Sequence, residues 1–158
     1  KWSHFEESLR VPLIIYDPRV EQSQRGKVAP QMVLNLDIAP TILAYAGIEL
    51  PEHYQGAALG EIVAGASPDT WRTDFFCEHL MEHAAIPKWE GVRGERYVYA
   101  RYLDHDFEFL QDLKTDPDQL KNLANDPSHK EALAEMRARC IELRDEYGGE
   151  YVSQKRNR

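Results

Sequence analysis

The feature that most constrains the fold is an alternating pattern of side chains over residues 91–103. Alternation with a period of two is typical of half-buried β-strands, and Gly94 with Glu95 supplies a turn in the middle of the pattern. We therefore predict an antiparallel hairpin. Residues 73–78 and 107–113 also have the composition of strands, so we expect the hairpin to belong to a small antiparallel sheet.

Two helices are predicted near the end of the chain. Over residues 126–147, apolar residues recur every three or four positions, which predicts an amphipathic helix packed on the sheet. Residues 115–119 have Asp116 as a cap and Pro117 in the first position, which predicts a short helix before it.

The first part of the chain has a different pattern. Residues 11–17 form a short apolar run that predicts a strand buried on both faces. A loop follows, and then a helix with Asp37 as its cap, Pro40 in its first turn and Gly47 at its end. Strand, loop and helix together are typical of the closing unit of an α/β layer. We predict three parts: residues 1–63, residues 64–149, and a frayed tail over residues 150–158.

Composition excludes two classes of partner. The chain has 158 residues and a net charge of −8, which disfavours nucleic acid because phosphate binding needs clustered positive charge. No apolar run approaches the ~20 residues that span a bilayer. Cys77 and Cys140 match no metal-binding spacing and predict two free thiols, or at most one bridge.

Two groups of residues could carry chemistry. Lys1 and Arg10 precede the predicted strand, where cations could bind sulfate, phosphate or carboxylate, although Glu6 and Arg10 could equally form a salt bridge. His79 and His83, with the carboxylates beside them, could bind a metal ion, lie in a solvated polar loop, or contact a substrate.

Five segments, in order along the chain, resemble motifs of the type I sulfatases. They are KWSHFEESLRVPLI (1–14), LDIAPTILAYAGI (36–48), PEHYQGAAL (51–59), GVRGERYVY (91–99) and FLQDLKTDP with NLA (109–124). The resemblance implies an α/β (α+β) fold: the end of an alkaline-phosphatase-like α/β layer, then a small antiparallel sheet packed on a C-terminal helix. It also implies that the chain is the C-terminal portion of a larger hydrolase, whose upstream catalytic part is its first partner.

The resemblance implies roles for particular residues. Lys1 matches the family's sulfate-contacting lysine, and the loop before the hairpin would help to choose the substrate. His79, His83, Trp89 and Arg93 would then bind a sulfated small molecule or carbohydrate. The parent protein is expected to carry formylglycine and a calcium ion, but neither cysteine here lies in the Cys/Ser-x-Pro/Ala-x-Arg motif that formylglycine requires. We therefore expect no metal and no cofactor in this chain.

The leading hypothesis is therefore a sulfatase-like hydrolase that cleaves a sulfuric ester, with a carbohydrate as the substrate class. One alternative is a phosphonate or phosphodiester hydrolase of the same superfamily, and another is a non-enzymatic interaction module. The family resemblance favours a periplasmic, secreted or lysosomal location. Because a central strand needs neighbours on both sides, we also expect the isolated chain to bury residues 11–16 against another copy of itself, or against its own helix.

Overall fold

The computed structural model describes residues 2–105 and 107–147. Its helices are α1 (Glu6–Leu9), α2 (Ile38–Tyr45), α3 (Gly60–Val63) and α4 (Lys130–Tyr147), and its strands are β1 (Asp74–His79), β2 (Trp89–Gly94), β3 (Tyr97–Tyr102) and β4 (Phe107–Asp112). The chain divides into two compact units, the sheet unit (Lys1–Pro12 with Thr73–Arg158) and the helical unit (Leu13–Arg72).

The sheet unit contains a four-stranded antiparallel meander in the order β1-β2-β3-β4. The predicted hairpin is confirmed: β2 pairs with β3 in a register that joins Val92 to Tyr99 and Gly91 to Ala100. The connecting turn is formed by Glu95 and Arg96, one residue later than the sequence predicted. The strands expected on either side of the hairpin are β1 and β4.

Helix α4 covers one face of this sheet, as its apolar periodicity predicted. The core between them contains buried residues from the strands and the helix: Val92, Tyr99, Leu110, Leu133, Cys140 and Leu143. Two ion pairs join the helix to the outer strands of the sheet: Arg139 pairs with Asp74 of β1, and Arg137 pairs with Glu108 of β4. A Pro127–His129 3-10 turn precedes α4, and the side chain of Asp126 caps that turn.

The opposite face of the sheet carries the second set of alternating side chains, including Trp89 and Arg93 of β2. Register places them beside His79 and Phe75 of β1 on the same face. The first residues of the chain lie across this face, so the sheet is covered on both sides.

Two predicted elements are wrong. Residues 11–17 form no strand, and the side chains of Ile14 and Tyr16 are 90% and 78% exposed. A strand needs hydrogen-bonding neighbours, and no described strand pairs with this segment. Residues 115–119 form turns instead of a helix, because Gln119 has a left-handed backbone (φ 53°) and its side chain bonds to other parts of the unit. Self-association through residues 11–16 stays a prediction, and the frayed tail over 150–158 lies outside the described residues.

In the helical unit, α2 begins where the sequence predicted, and Gly47 adopts the left-handed conformation (φ 69°) that ends many helices. Asp37 does not cap the first turn of α2 with its side chain. Its fully buried carboxylate instead pairs with both terminal nitrogens of Arg72, at 2.5 and 2.7 Å, and accepts the N–H groups of Leu34 and Ala57. One aspartate therefore connects three segments of this unit.

The apolar face of α2 is not part of a core in the described residues. Ile38, Ile42 and Tyr45 share one face at helical spacing, yet all three are exposed, while Pro40 and Thr41 are buried. Thr41 is held there by its hydroxyl, which donates to the Asp37 carbonyl and accepts the N–H of Leu59.

The close pairing of β2 with β3 generates a stability prediction. A Cβ atom at Gly91 would lie 2.3 Å from the Tyr99 carbonyl oxygen, whereas one at Gly94 would lie 3.4 Å from the Tyr97 carbonyl oxygen. We expect Gly91→Ala to lower the free energy of unfolding by about 1–3 kcal/mol, because backbone must shift to admit the methyl group. Gly94→Ala is the matched control and should cost less. Urea denaturation of both variants measures the difference, and equal midpoints would contradict the prediction.

Candidate functional site

The N-terminal segment, residues 2–10, brings three side chains to the face of the sheet opposite α4. Trp2, His4 and Glu6 contact this face, and α1 begins at Glu6. The sequence carried a signal for this arrangement, because aromatic and polar residues at positions 2, 4 and 6 would share one side of an extended segment. Trp2 and His4 were nevertheless not among the residues predicted for the site.

His4 is the anchor of the segment. Its ring is fully buried, its Nδ1 shares a 3.1 Å hydrogen bond with the Tyr102 hydroxyl, and it lies 4.5 Å from the ring of Phe109 between centroids. Burial lowers the pKa of His4 from 6.5 to about 4, an effect that the side chain of Gln111 partly opposes. The imidazole is therefore neutral at physiological pH and acts as a packing group.

Trp2 brings together the two histidines that the sequence predicted as site residues. Its indole stacks on the His79 ring, with centroids 5.8 Å apart and planes 11° from parallel, and it meets the His83 ring edge-on at the same distance. Trp2 is 49% exposed and has a left-handed backbone (φ 72°), a costly conformation for a bulky residue. We call these three residues the Trp–His cluster.

Trp89 has a different position from the one expected of a sugar-stacking residue. It is 3% exposed, and its indole N–H donates to the Trp2 carbonyl at 2.8 Å. Trp89 therefore holds the backbone of the segment, and the exposed tryptophan surface at this end of the sheet belongs to Trp2.

Arg93 lies at the other end of β2 and is bound by Glu6. Its Nε and Nη2 atoms donate to the two carboxylate oxygens at 3.1 and 3.0 Å. Among the described residues, Glu6 forms its salt bridge with Arg93 and none with Arg10, the alternative partner. Gln119 strengthens the same region, because its side-chain oxygen accepts the Glu6 N–H at 2.6 Å and its amide donates to Gln111.

A cleft of about 420 Å³ adjoins the Glu6–Arg93 pair. Its cationic lining comes from the residue after α1, from β2, from the β2–β3 turn and from the loop after β4: Arg10, Arg93, Arg96 and Lys114. Arg96 is engaged by Asp112 through two hydrogen bonds, and this guanidinium holds the pKa of Asp112 at about 2. We call this feature the basic cleft.

The remaining predicted chemistry has less support in the described residues. Lys1 lies outside them, so its predicted sulfate contact stays a prediction. Within residues 2–105 and 107–147, no group of three or more metal-ligating side chains is found. Within the described residues, Cys77 and Cys140 form no disulfide, and burial raises the pKa of Cys77 to about 12, which is opposite to what a nucleophilic thiol needs.

The family is established by sequence comparison. The model of the family "N-sulphoglucosamine sulphohydrolase, C-terminal" matches residues 1–146, and the chain belongs to this family. The fold of the parent family is alkaline-phosphatase-like, as the sequence motifs implied.

Individual relatives agree with this assignment. The chain is 32% identical over 153 residues to a Δ4,5-hexuronate-2-O-sulfatase of Bacteroides thetaiotaomicron, covering 92% of this chain and 30% of that protein. Among solved structures, a 2-O GAG sulfatase matches with a TM-score of 0.67 and 33% identity, over 74% of this chain and 26% of that one. A structure in complex with its substrate D-glucosamine-2-N,6-O-disulfate matches with a TM-score of 0.65 and 26% identity, over 70% and 24%.

The chain thus spans about a third or less of the length of these relatives. The first two relatives are named as sulfatases, and the third is described in complex with a sulfated glucosamine as its substrate. None of the helices in the described part of the chain has the length and apolar character needed to cross a bilayer.

The buried His4 predicts an acid-sensitive sheet unit. Its folded-state pKa is lower than its unfolded value, so the stabilising contribution is complete above pH 6.5 and is lost as pH falls towards about 4. The free energy of unfolding should fall by about 3 kcal/mol, since a difference of one in pKa corresponds to about 1.4 kcal/mol. Denaturant titrations between pH 7 and 4 measure it.

His4→Gln keeps a polar side chain but removes the titration, so its stability should fall less steeply over this range. His105→Gln, which alters an exposed histidine of the same unit, is the control and should retain the wild-type slope. A slope unchanged in His4→Gln would show that the imidazole is not desolvated in the folded protein.

Proposed function

We propose that the protein containing this chain hydrolyses a sulfate ester of a carbohydrate, and that this chain forms part of the substrate-binding rim. The observation that carries the proposal is the Trp–His cluster. Trp2 follows Lys1 directly in the sequence and stacks on His79. The loop expected to select the substrate therefore contacts Trp2, the residue that follows the predicted sulfate-contacting lysine in the sequence.

Lys1 would act on the sulfate group. As the S–O ester bond breaks, negative charge develops on the sulfuryl oxygens and on the bridging oxygen. A positioned ammonium group stabilises that charge more strongly in the transition state than in the bound substrate, which is the condition for catalysis.

The nucleophile and the metal ion would come from outside this chain. The resemblance implies formylglycine and calcium, but neither cysteine here has the required motif, and no metal-binding group occurs among residues 2–105 and 107–147. We therefore assign to this chain only binding and charge stabilisation. Its upstream partner would be the catalytic part of the same protein.

The Trp–His cluster would contact the sugar. An exposed indole offers an apolar face for a sugar ring, and histidines offer hydrogen bonds to hydroxyl or sulfate oxygens. The Nε2 atom of His79 is buried without a hydrogen-bond partner among the described residues. Such an unpartnered atom costs roughly 1–3 kcal/mol, and a hydrogen bond from a substrate hydroxyl would remove this cost. Arg93 lies at the opposite end of β2 from Trp89. It would contribute indirectly, by holding Glu6 and with it the N-terminal segment.

The first test concerns Lys1 in the whole protein. We expect Lys1→Ala to lower kcat/KM for 4-nitrophenyl sulfate by about 10²–10³-fold, because a charge that stabilises the transition state is lost. Lys27→Ala, at an exposed lysine of the helical unit, is the control and should leave kcat/KM unchanged. A higher kcat/KM for a 4-nitrophenyl phosphonate monoester than for the sulfate would favour the phosphonate hydrolase instead.

The second test concerns Trp2. We expect Trp2→Ala to raise KM for a sulfated oligosaccharide by about 10-fold, the effect of losing a stacking contact of about 1.4 kcal/mol. Phe107→Ala, at an aromatic residue that is 51% exposed on the same unit, is the control. If both variants raised KM equally, the Trp–His cluster would not be a sugar-binding surface.

A further inference from the structure

The basic cleft contains more positive charge than its own ion pairs use. Four cationic side chains line it, together with the carboxylates of Glu6 and Glu95. Glu6 engages Arg93 and Asp112 engages Arg96. Within the described residues, the side chains of Arg10 and Lys114 form no ion pair or hydrogen bond, and both are exposed.

Two of these cations are held in place by paired carboxylates, and the backbone of a third is anchored. Arg93 and Arg96 are oriented by paired hydrogen bonds to carboxylates, a geometry that restrains a guanidinium more strongly than a single contact does. The backbone N–H of Lys114 donates to Asp112, so the base of the lysine is held by the same carboxylate. Leu113 and Pro117 add an apolar wall. At about 420 Å³, the cleft lies within the range of small-ligand sites.

The location of the cleft relates it to the Trp–His cluster. Trp89, which holds Trp2, and Arg93, which lines the cleft, are four residues apart on the same face of β2. A strand rises about 3.3 Å per residue, so the two ends are about 13 Å apart along the strand. This separation is longer than one sugar ring, and it suits a ligand of several linked sugars.

We propose that the basic cleft binds an anionic group, either a sulfate ester or a uronate carboxylate, on a sugar residue distant from the sulfate that is cleaved. The inference rests on the proposed function for the reaction, but the binding itself needs no turnover. Arg10 and Lys114 supply the direct contacts, while Arg93 and Arg96, which are paired with Glu6 and Asp112, form restrained walls of the cleft. The substrate class is accordingly an anionic oligosaccharide rather than a sulfated monosaccharide.

The test measures binding to the whole protein by calorimetry. The probes are tetragalacturonate, which carries carboxylates and no sulfate, sulfated cellotetraose, and neutral cellotetraose. We expect the anionic probes to bind more tightly than the neutral one. Lys114→Glu should weaken the preferred anionic probe by about 10-fold or more, as expected for the loss of one charge-assisted contact.

The matched control is Lys121→Glu, which makes the same change of charge at an exposed lysine outside the cleft. Arg10→Gln should act in the same direction as Lys114→Glu, with a smaller effect because no negative charge is added. If Lys114→Glu weakens the binding of only one of the two anionic probes, that probe shows whether the cleft binds carboxylate or sulfate. Equal effects of Lys114→Glu and Lys121→Glu, or equal affinity for neutral and anionic probes, would overturn the proposal.

The outcome is separable from that of the proposed function. Hydrolysis of 4-nitrophenyl sulfate by the wild-type protein tests the reaction, while tetragalacturonate binding tests the cleft without any sulfate ester. A protein that hydrolyses the aryl sulfate but shows no Lys114-dependent binding would overturn only the cleft. A protein that binds tetragalacturonate through Lys114 but cleaves no sulfate ester would overturn only the reaction.

Discussion

Burial of the N-terminal segment against the second face of the sheet is the contact on which the arrangement of the sheet unit depends. Helix α4 covers only one face, and the other face carries large aromatic residues such as Trp89 and Phe109. His4 fills the space between them and Tyr102. Because an exposed apolar face of this size would be unfavourable in water, residues 2–10 are as much a part of this sheet's packing as the helix is.

The same contact creates the candidate site. Hydrogen bonds hold the segment at both ends, from Trp89 to the Trp2 carbonyl and from Arg93 to Glu6. Trp2 is thereby fixed beside His79, and Glu6 beside the basic cleft. The Trp–His cluster and the basic cleft lie at the two ends of one packed segment, so a long substrate could contact both.

Several parts of this site could be predicted from the sequence and others could not. His79, Trp89 and Arg93 were predicted, and the register places all three on one face of the sheet. The burial of Trp89 and the pairing of Arg93 with Glu6 could not be predicted, because they depend on a segment about 87 residues away in the chain. The strand expected over residues 11–17 shows that a local pattern can also predict an element that does not form. Apolar composition permits a strand, but hydrogen-bonding neighbours decide whether it forms.

The sequence by itself determined most of the local elements and the family. The alternating side chains predicted the hairpin, and the three- and four-residue spacing of apolar residues predicted α4. The ordered motifs indicated the sulfatase C-terminal family. Only the tertiary structure decided which side chains meet. Left-handed backbone at Trp2 and Gln119, burial of His4, and the choice of Arg93 over Arg10 as the partner of Glu6 all follow from packing between distant segments. Local pattern encodes the backbone path of each element, whereas the pairing of charges and rings depends on the three-dimensional neighbours that compete for them.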